Sequence, residues 1–137
     1  MVSRYFKIQE LVDKNTYSHR GDNAWLLFDS RAITMLDRLK EVFSEGTITV
    51  NNWYWGGDRE WSGLRTSESP YYSPTSQHTF GRAFDCVFSA YSAEQVRTYL
   101  LRHQSEFKYI TRLEEGVSWL HFDVANTDTN GIITFKG

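Results

Sequence analysis

The stretch SQHTFGRAFDCVF, residues 76–88, joins a polar, glycine-containing approach to a short and mainly apolar run. The run from Arg82 to Phe88 has the length and composition of a β-strand, and His78 lies in the loop that enters it. Because side chains alternate across a strand, Asp85 and Cys86 lie on opposite faces. The stretch therefore raises one question: whether His78 and Asp85 belong to a common metal site or are two unrelated polar residues.

A second apolar run, VSWLHFDV, covers Val117 to Val124 and predicts a central strand. His121 and Asp123 share one face of that strand. If the two strands are neighbours with these faces aligned, Asp85 and His121 project into the same space, and His78 can fold over both. Two imidazoles and one carboxylate are a sound zinc-binding set, with three protein ligands and a fourth position left for water.

Two helices are predicted from capping signals and apolar spacing. The segment AITMLDRLKEVF follows a cap at Asp29 and ends before Gly46. A capping box at Ser92–Gln95 opens a second helix that runs to about His103. The polar stretch 15–23 is predicted to be a loop.

Three further strands complete the predicted sheet, at residues 47–52, 108–113 and 131–136. The last of them includes the second residue of an Asn130-Gly131 turn. Residues 53–77, rich in Gly, Ser, Tyr and Trp, are predicted to form the ordered loop wall of a binding cleft. The predicted fold is a single α+β domain over residues 1–137, with a mostly antiparallel sheet and helices packed on one side.

The composition excludes several classes of function. The net charge is −2, the pI is near 6.1 and the basic residues are scattered, so we expect no nucleic-acid partner. No segment approaches the ~20 apolar residues of a membrane span, and the N-terminus lacks the apolar core of a secretory signal. We therefore expect no membrane partner and synthesis in the cytoplasm, followed by release on lysis or carriage in a larger particle if the target lies outside. The lone Cys86 excludes an internal disulfide and is expected to be a buried thiol.

Three motifs follow one another along the chain: SGLR at residues 62–65, SQHTFGRAFD at 76–85 and SWLHFDV at 118–124. Together they resemble the patterns S-G-x-R, S-x-H-x-x-G-x-A-x-D and W-x-H of the zinc D-Ala-D-Ala carboxypeptidase and dipeptidase family, and they fill every fixed position. That family shares a fold with the lysostaphin-type peptidases and the hedgehog signalling domain. The resemblance covers about Trp53 to Val124, and the remainder of the chain is similar to small phage-encoded proteins of this group.

The resemblance implies a zinc-dependent peptidase that hydrolyses short peptides of bacterial peptidoglycan, as a carboxypeptidase or an endolysin-like endopeptidase. His78, Asp85 and His121 would bind Zn²⁺, and Arg65 would grip a carboxylate or backbone carbonyl of the substrate. A guanidinium suits that role because its paired donors match a carboxylate. By position alone, Arg65 fits an ordinary surface-loop arginine better. A virion-associated protein, with other virion proteins as partners, is the implied alternative to release on lysis.

One position departs from the family pattern. Many members carry a catalytic Glu or Asp three residues before the last zinc histidine, where this chain has Ser118. A serine hydroxyl cannot act as a general base at neutral pH without an activating partner. The candidate replacements are Glu115, Glu114 and Asp123. We predict Glu115, brought back to the site by a turn at Gly116, whereas Asp123 suits a role behind a zinc ligand.

Ser118 also keeps a second interpretation open, a non-catalytic, zinc-stabilised binding or structural module of a phage particle. Glu114 and Glu115 would then be solvated turn residues. A third class, a metal-free cleft for an unrelated small ligand, would be recognised by its insensitivity to chelators.

Overall fold

The computed structural model describes residues 1–137. It contains three α-helices: α1 (Lys14–Arg20), α2 (Ser30–Val42) and α3 (Ala93–Arg102). Short 3-10 segments cover Ile8–Glu10, Gly21–Leu27, Trp53–Trp55 and Gln104–Phe107. None of the helices has the length and apolar character that a bilayer crossing requires.

Both helices expected from capping signals are present. Asp29 caps α2 by accepting the Arg31 N–H at 2.9 Å. Ser92 and Gln95 form the reciprocal capping box of α3. Helix α2 ends about one turn before the expected stop at Gly46.

The loop expected over residues 15–23 is wrong, because α1 and the start of a 3-10 segment occupy it. Asp13 accounts for the difference. Its carboxylate accepts hydrogen bonds from Thr16 N (3.0 Å) and Thr16 Oγ1 (2.5 Å), and so caps a short helix of mostly polar residues. Such a helix has no apolar stripe for a periodicity argument to detect.

Five strands form one sheet in the order β1–β2–β4–β3–β5. Their bounds are β1 (Ile48–Thr49), β2 (Ala83–Phe88), β3 (Arg112–Glu115), β4 (Leu120–Asp123) and β5 (Ile133–Lys136). β1–β2, β2–β4 and β4–β3 are antiparallel pairs, whereas β3–β5 is parallel. The sheet is therefore mixed, which corrects the predicted mostly antiparallel sheet. Strand β1 is shorter than the expected 47–52, and β3 begins later than the expected 108–113.

The last strand is responsible for the parallel pair. The Asn130-Gly131 turn does not fold β5 back onto β4. Instead the chain crosses to the far side of β3, where the Ile133 N–H bonds to the Thr111 carbonyl at 2.8 Å. Strands β3 and β5 both run antiparallel to β4, so the pair that they form with each other is parallel.

One face of the sheet packs against the helices, with α2 contacting β2 and α3 contacting β4. Phe84 and Phe122 lie on this face, in the hydrophobic core. Cys86 lies there too, buried as expected, and burial raises the pKa of its thiol. By alternation, Asp85 and His121 point to the opposite face.

The predicted cleft loop, residues 53–77, is bound to the sheet region by its main chain. The Asp85 N–H donates to the Ser62 carbonyl at 2.8 Å, and the Arg65 N–H donates to the His78 carbonyl at 3.2 Å. These bonds hold the loop beside the strand that carries Asp85. The loop and the sheet therefore position the polar side chains of both relative to each other.

Asp29 is expected to stabilise the fold in two separable ways. It caps α2, and its carboxylate also pairs with Arg31 (2.7 Å) and with Arg82 (3.3 Å), the residue before β2. Hydrogen bonds from Arg31 outweigh the effect of burial and lower the pKa of Asp29 to about 2. Asp29→Ala should lower the free energy of unfolding by ~1–2 kcal/mol, and Asp29→Asn, which keeps the cap, by ~0.5–1 kcal/mol.

The two contributions should respond differently to pH. Because the folded pKa lies below the ordinary value of 3.8, the contribution of the ion pairs is present above pH 3.8 and is lost as the pH falls towards 2. In urea unfolding, the difference in the free energy of unfolding between wild type and Asp29→Asn should disappear over that pH window. The difference in the free energy of unfolding between Asp29→Asn and Asp29→Ala should stay constant. A wild-type to Asp29→Asn gap that does not change with pH would contradict this assignment.

Candidate metal centre

His78, Asp85 and His121 converge on one point. Asp85 and His121 are direct cross-strand partners in β2 and β4, as the predicted alignment of faces requires. His78, only 3% exposed, folds over them from the loop before β2. Asp85 Oδ1 lies 2.9 Å from His121 Nδ1 and 3.4 Å from His78 Nε2. One ligand atom from each residue lies within 4.8 Å of the others, a spacing that a single metal ion can bridge.

The outer nitrogen of each imidazole is fixed by a hydrogen bond. His78 Nδ1 donates to the Gly63 carbonyl at 2.9 Å, so its Nε2 keeps a lone pair. His121 Nε2 lies 2.8 Å from Asp123 Oδ2 and donates to that carboxylate. Both inner nitrogens therefore face Asp85 with their lone pairs. Three acceptors at this spacing repel one another unless a positive charge lies among them.

A proton on His121 can supply that charge. Burial opposes ionisation of the ring, but hydrogen bonds to Asp123 and Asp85 outweigh it and raise the pKa of His121 to about 9. Burial also opposes the charge of Asp85, yet the adjacent His121 and His78 rings hold the pKa of that carboxyl well below its ordinary value. A metal ion and this proton compete for the same atoms.

Asp123 lies behind His121 and is itself held in place. It is fully buried, and Arg112 donates to its two oxygens at 2.9–3.1 Å. Burial opposes the charge of Asp123, but hydrogen bonds from His121 and then from Arg112 outweigh it and lower the pKa of this carboxyl. The Arg112 guanidinium lies 4.3 Å from the centre of the Phe135 ring, which packs edge-on against His121 at 5.5 Å. Asp123 thus has the contact expected of a residue behind a zinc ligand. Sequence reasoning missed Arg112 and Phe135, because both reach the site through strand pairing that local spacing does not reveal.

Arg65 connects Asp85 to an open cleft of about 570 Å³, hereafter the cleft. Its Nη2 donates to Asp85 Oδ2 at 3.1 Å, and its Nε donates to the Trp61 carbonyl at 2.8 Å. The Tyr71 ring centre lies 5.6 Å from the guanidinium carbon. Arg65, Tyr71 and Trp119 all line the cleft. The remaining N–H groups of Arg65 are available to a further acceptor there.

Glu114 also lines the cleft, whereas Glu115 does not. The β3–β4 pairing ends with Leu113 opposite Phe122, and Glu114, the next residue, starts from the face of β3 opposite to that of Leu113. Alternation then places Glu115 on the core face with Leu113. Of the two glutamates, Glu114 is the one on the cleft side of β3, and its carboxylate lies beside Gly137.

The hairpin between β3 and β4 has a fixed shape. Gly116 takes a left-handed φ of 77°, in keeping with the turn expected there. Arg97, a buried residue of α3, donates to the carbonyls of Val117 (3.0 Å) and Trp119 (3.1 Å). Ser118, between them, is exposed. The position at which the resembled family carries its carboxylate therefore lies in a hairpin turn fixed by a buried arginine.

No family model, no curated protein and no solved structure matches this chain. The assignment of a metal site rests instead on the chemistry of the donors. Two buried imidazoles with lone pairs directed inward, and one buried ionised carboxylate, are a ligand set that zinc accepts. Each histidine also has the outer hydrogen bond that fixes a metal-ligating ring.

The wild-type protein is expected to bind about one equivalent of Zn²⁺ after purification metals have been removed. Binding to the folded state alone stabilises it by ~2.7 kcal/mol at a free zinc concentration 100 times the Kd, which raises the Tm by several degrees. Asp85→Ala should lose both the stoichiometric binding and the zinc-dependent rise in Tm. His19→Ala, at an exposed histidine, is the matched control and should keep both. Less than half an equivalent bound by the wild type would contradict a native site.

Asp123→Asn is expected to weaken zinc binding without abolishing it. The amide keeps the shape of the side chain but removes the charge that holds the His121 N–H and Arg112. Loss of such an outer partner typically costs ~10–100-fold in metal affinity. Competition with a chromophoric chelator measures the change, and Asp128→Asn, at an exposed carboxylate, serves as the control. An Asp123→Asn affinity equal to that of the control would show that Asp123 has no influence on the metal.

Proposed function

We propose that this protein is a zinc-dependent peptidase that hydrolyses short peptide bonds of bacterial peptidoglycan. The observation that carries the proposal is the His78–Asp85–His121 group, which Arg65 joins to the cleft through its bond to Asp85. The three ordered motifs, which resemble those of the zinc D-Ala-D-Ala carboxypeptidase and dipeptidase family, supply the substrate class. Zinc is the metal that this donor set and this resemblance favour.

His78, Asp85 and His121 would hold the ion. When bound, zinc polarises the scissile carbonyl and lowers the pKa of a coordinated water towards ~7. The chain's own part is to keep the donors in place. The Gly63 carbonyl and Asp123 fix the two imidazole rings, and the histidines keep Asp85 ionised.

Arg65 is suited to orient the substrate. Its bonds to Asp85 and to the Trp61 carbonyl fix the plane of the guanidinium at the wall of the cleft. The donors that remain can pair with a terminal carboxylate or with a backbone carbonyl of the peptide. Tyr71, beside the guanidinium, adds a flat apolar surface on which a peptide can lie.

We assign the general base to Glu114 in place of Glu115. Glu114 lines the cleft and starts from the face of β3 opposite to the core, and its carboxylate, which lies beside Gly137, would have to turn towards His121 to meet the attacking water. In this assignment a Glu114 oxygen takes a proton from the attacking water and passes it to the departing amine nitrogen as the C–N bond breaks. Glu115 starts from the opposite face of β3.

The assignment predicts opposite results for the two glutamates. Glu114→Gln should lower kcat on a soluble peptidoglycan stem peptide by about 10²–10⁴-fold, because the amide cannot accept the proton. Glu115→Gln is the matched control and should stay within about threefold of wild type, because this side chain starts from the face of β3 that points away from the cleft. Zinc content should be unchanged in both. Full activity in Glu114→Gln together with a large loss in Glu115→Gln would return the assignment to Glu115.

The same assay separates the second candidate function, a non-catalytic zinc-stabilised module of a phage particle. The exposed Ser118 favours that candidate, because the usual carboxylate is missing from its place. A wild-type protein that binds one zinc yet releases no product from stem peptides or from intact wall would establish the module and exclude the peptidase.

A further inference from the structure

A second concave site lies on the other side of the segment that begins the cleft loop. This hollow has a volume of about 360 Å³. Its walls combine four apolar or aromatic residues with four polar ones: Tyr5, Phe6, Ile48 and Trp55, and Glu10, Lys40, Thr47 and Thr49. It shares no lining residue with the cleft and contains none of the three metal-site residues.

Trp55 is presented to solvent on a rigid support. Its side chain is 57% exposed, and it packs edge-on against Tyr54 with ring centres 5.2 Å apart. Tyr54 packs in the same way on Trp53, whose Nε1 donates to the Val12 carbonyl at 2.8 Å. An exposed indole held in this way loses little conformational entropy when a ligand covers it.

The backbone that follows Trp55 is also closed. The Asn52 N–H donates to the Arg59 carbonyl at 3.0 Å, and the Arg59 N–H returns to Asn52 Oδ1 at 2.8 Å. The Gly57 N–H donates to the Asn52 carbonyl at 3.0 Å. Residues 52–59 thus form a closed loop that holds Trp55 at the hollow and Asp58 at the cleft.

The polar side of the hollow offers both donors and acceptors. Hydroxyls from Thr47 and Thr49 line it, and each can donate and accept. The main-chain N–H of Thr47 is already used on Ser89 Oγ, at 2.8 Å. Glu10 and Lys40 bring one negative and one positive charge, so the hollow favours neither an anion nor a cation. Its lining suits a neutral ligand with many hydroxyl and amide groups.

We propose that the hollow binds a saccharide ring, and specifically an N-acetylated sugar of the glycan strand of peptidoglycan. A pyranose ring has an apolar face of C–H groups, which packs on the electron-rich face of an indole, and a polar edge, which needs hydrogen-bond partners. Trp55 supplies the first, and Thr47, Thr49 and Glu10 supply the second. An apolar peptide segment or a lipid tail would leave those polar groups buried without partners.

The position of the hollow matches the branched structure of the polymer. Trp55 and Asp58 are three residues apart, so hollow and cleft are at most ~11 Å apart along this segment. A glycan strand held at Trp55 can therefore direct its peptide branch into the cleft. The choice of glycan rests on the proposed peptidase function, and the sugar site makes intact wall a better substrate than a free peptide.

Binding of a soluble oligomer of N-acetylglucosamine, measured by titration calorimetry on the zinc-loaded protein, tests the proposal. Wild type should bind it. Trp55→Ala should weaken binding by at least about tenfold. Thr49→Val, which keeps the shape and removes one hydroxyl, should weaken it by roughly threefold to tenfold. Leu26→Ala, at an 82% exposed side chain outside the hollow, is the control and should bind like wild type.

Peptide hydrolysis provides the second readout. Trp55→Ala should cleave a soluble stem peptide within about twofold of wild type, but should digest intact cell wall several-fold more slowly. Failure of the wild type to bind the oligomer, or unchanged binding in both Trp55→Ala and Thr49→Val, overturns the sugar site. If Trp55→Ala proves misfolded by zinc content and Tm, Thr49→Val decides.

These measurements also separate the two proposals. A wild type that binds the oligomer through Trp55 but cleaves no peptide would retain the sugar site and exclude the peptidase. A wild type that cleaves stem peptides but does not bind the oligomer would retain the peptidase and exclude the sugar site.

Discussion

The arrangement of the molecule depends on one cross-strand pair, Asp85 of β2 beside His121 of β4. A slip of one residue in this pairing would turn one of the two strands over, which would put Asp85 or His121 into the core and expose Phe84 or Phe122 on the polar face. Burial of the two phenylalanines therefore fixes the same register that brings the metal-site residues together. The packing of the core and the geometry of the site are consequences of a single constraint, so neither can be changed without the other.

The charges on the polar face are balanced in pairs. Asp85 has Arg65 on its outer oxygen, and Asp123 has Arg112, while His121 lies between the two carboxylates. Since an unpaired buried charge costs several kcal/mol, the two arginines explain how two buried carboxylates persist so close together. The pairing of each carboxylate with its own arginine also affects metal binding. Because Arg65 occupies Oδ2 of Asp85, Oδ1 is the oxygen left to face the two histidines.

The sequence was most informative about β2 and β4, the two strands in which an apolar pattern and polar site residues occur together. The alternation in β2 and β4 predicted that Asp85 and His121 meet if the two strands are neighbours, and the resemblance of the motifs to a zinc peptidase family implied the full set with His78. The pairing of strands that are far apart in the sequence could not be predicted in this way. The sequence of β5 does not say which edge it joins, because the Asn130-Gly131 signal predicts a turn but not the strand that β5 pairs with. The choice between Glu114 and Glu115 could not be predicted either. Neighbouring residues of a strand point to opposite faces, so the position of β3 must be known to a single residue before either glutamate can be placed on the cleft face.

The missing carboxylate at Ser118 is best understood from the shape of the hairpin. Arg97 donates hydrogen bonds to the carbonyls on both sides of Ser118 and so fixes the backbone of the turn. An acid at position 118 would have to reach the metal site from this fixed turn. Glu114 follows the last residue pair of β3 and β4 and lines the cleft, so only its side chain has to turn from Gly137 towards the site. A carboxylate on a paired strand is also held more firmly than one on a turn, which favours a catalytic role there. Under the proposed function, the base lies on the neighbouring strand, and hydrolysis then does not require an acid at position 118.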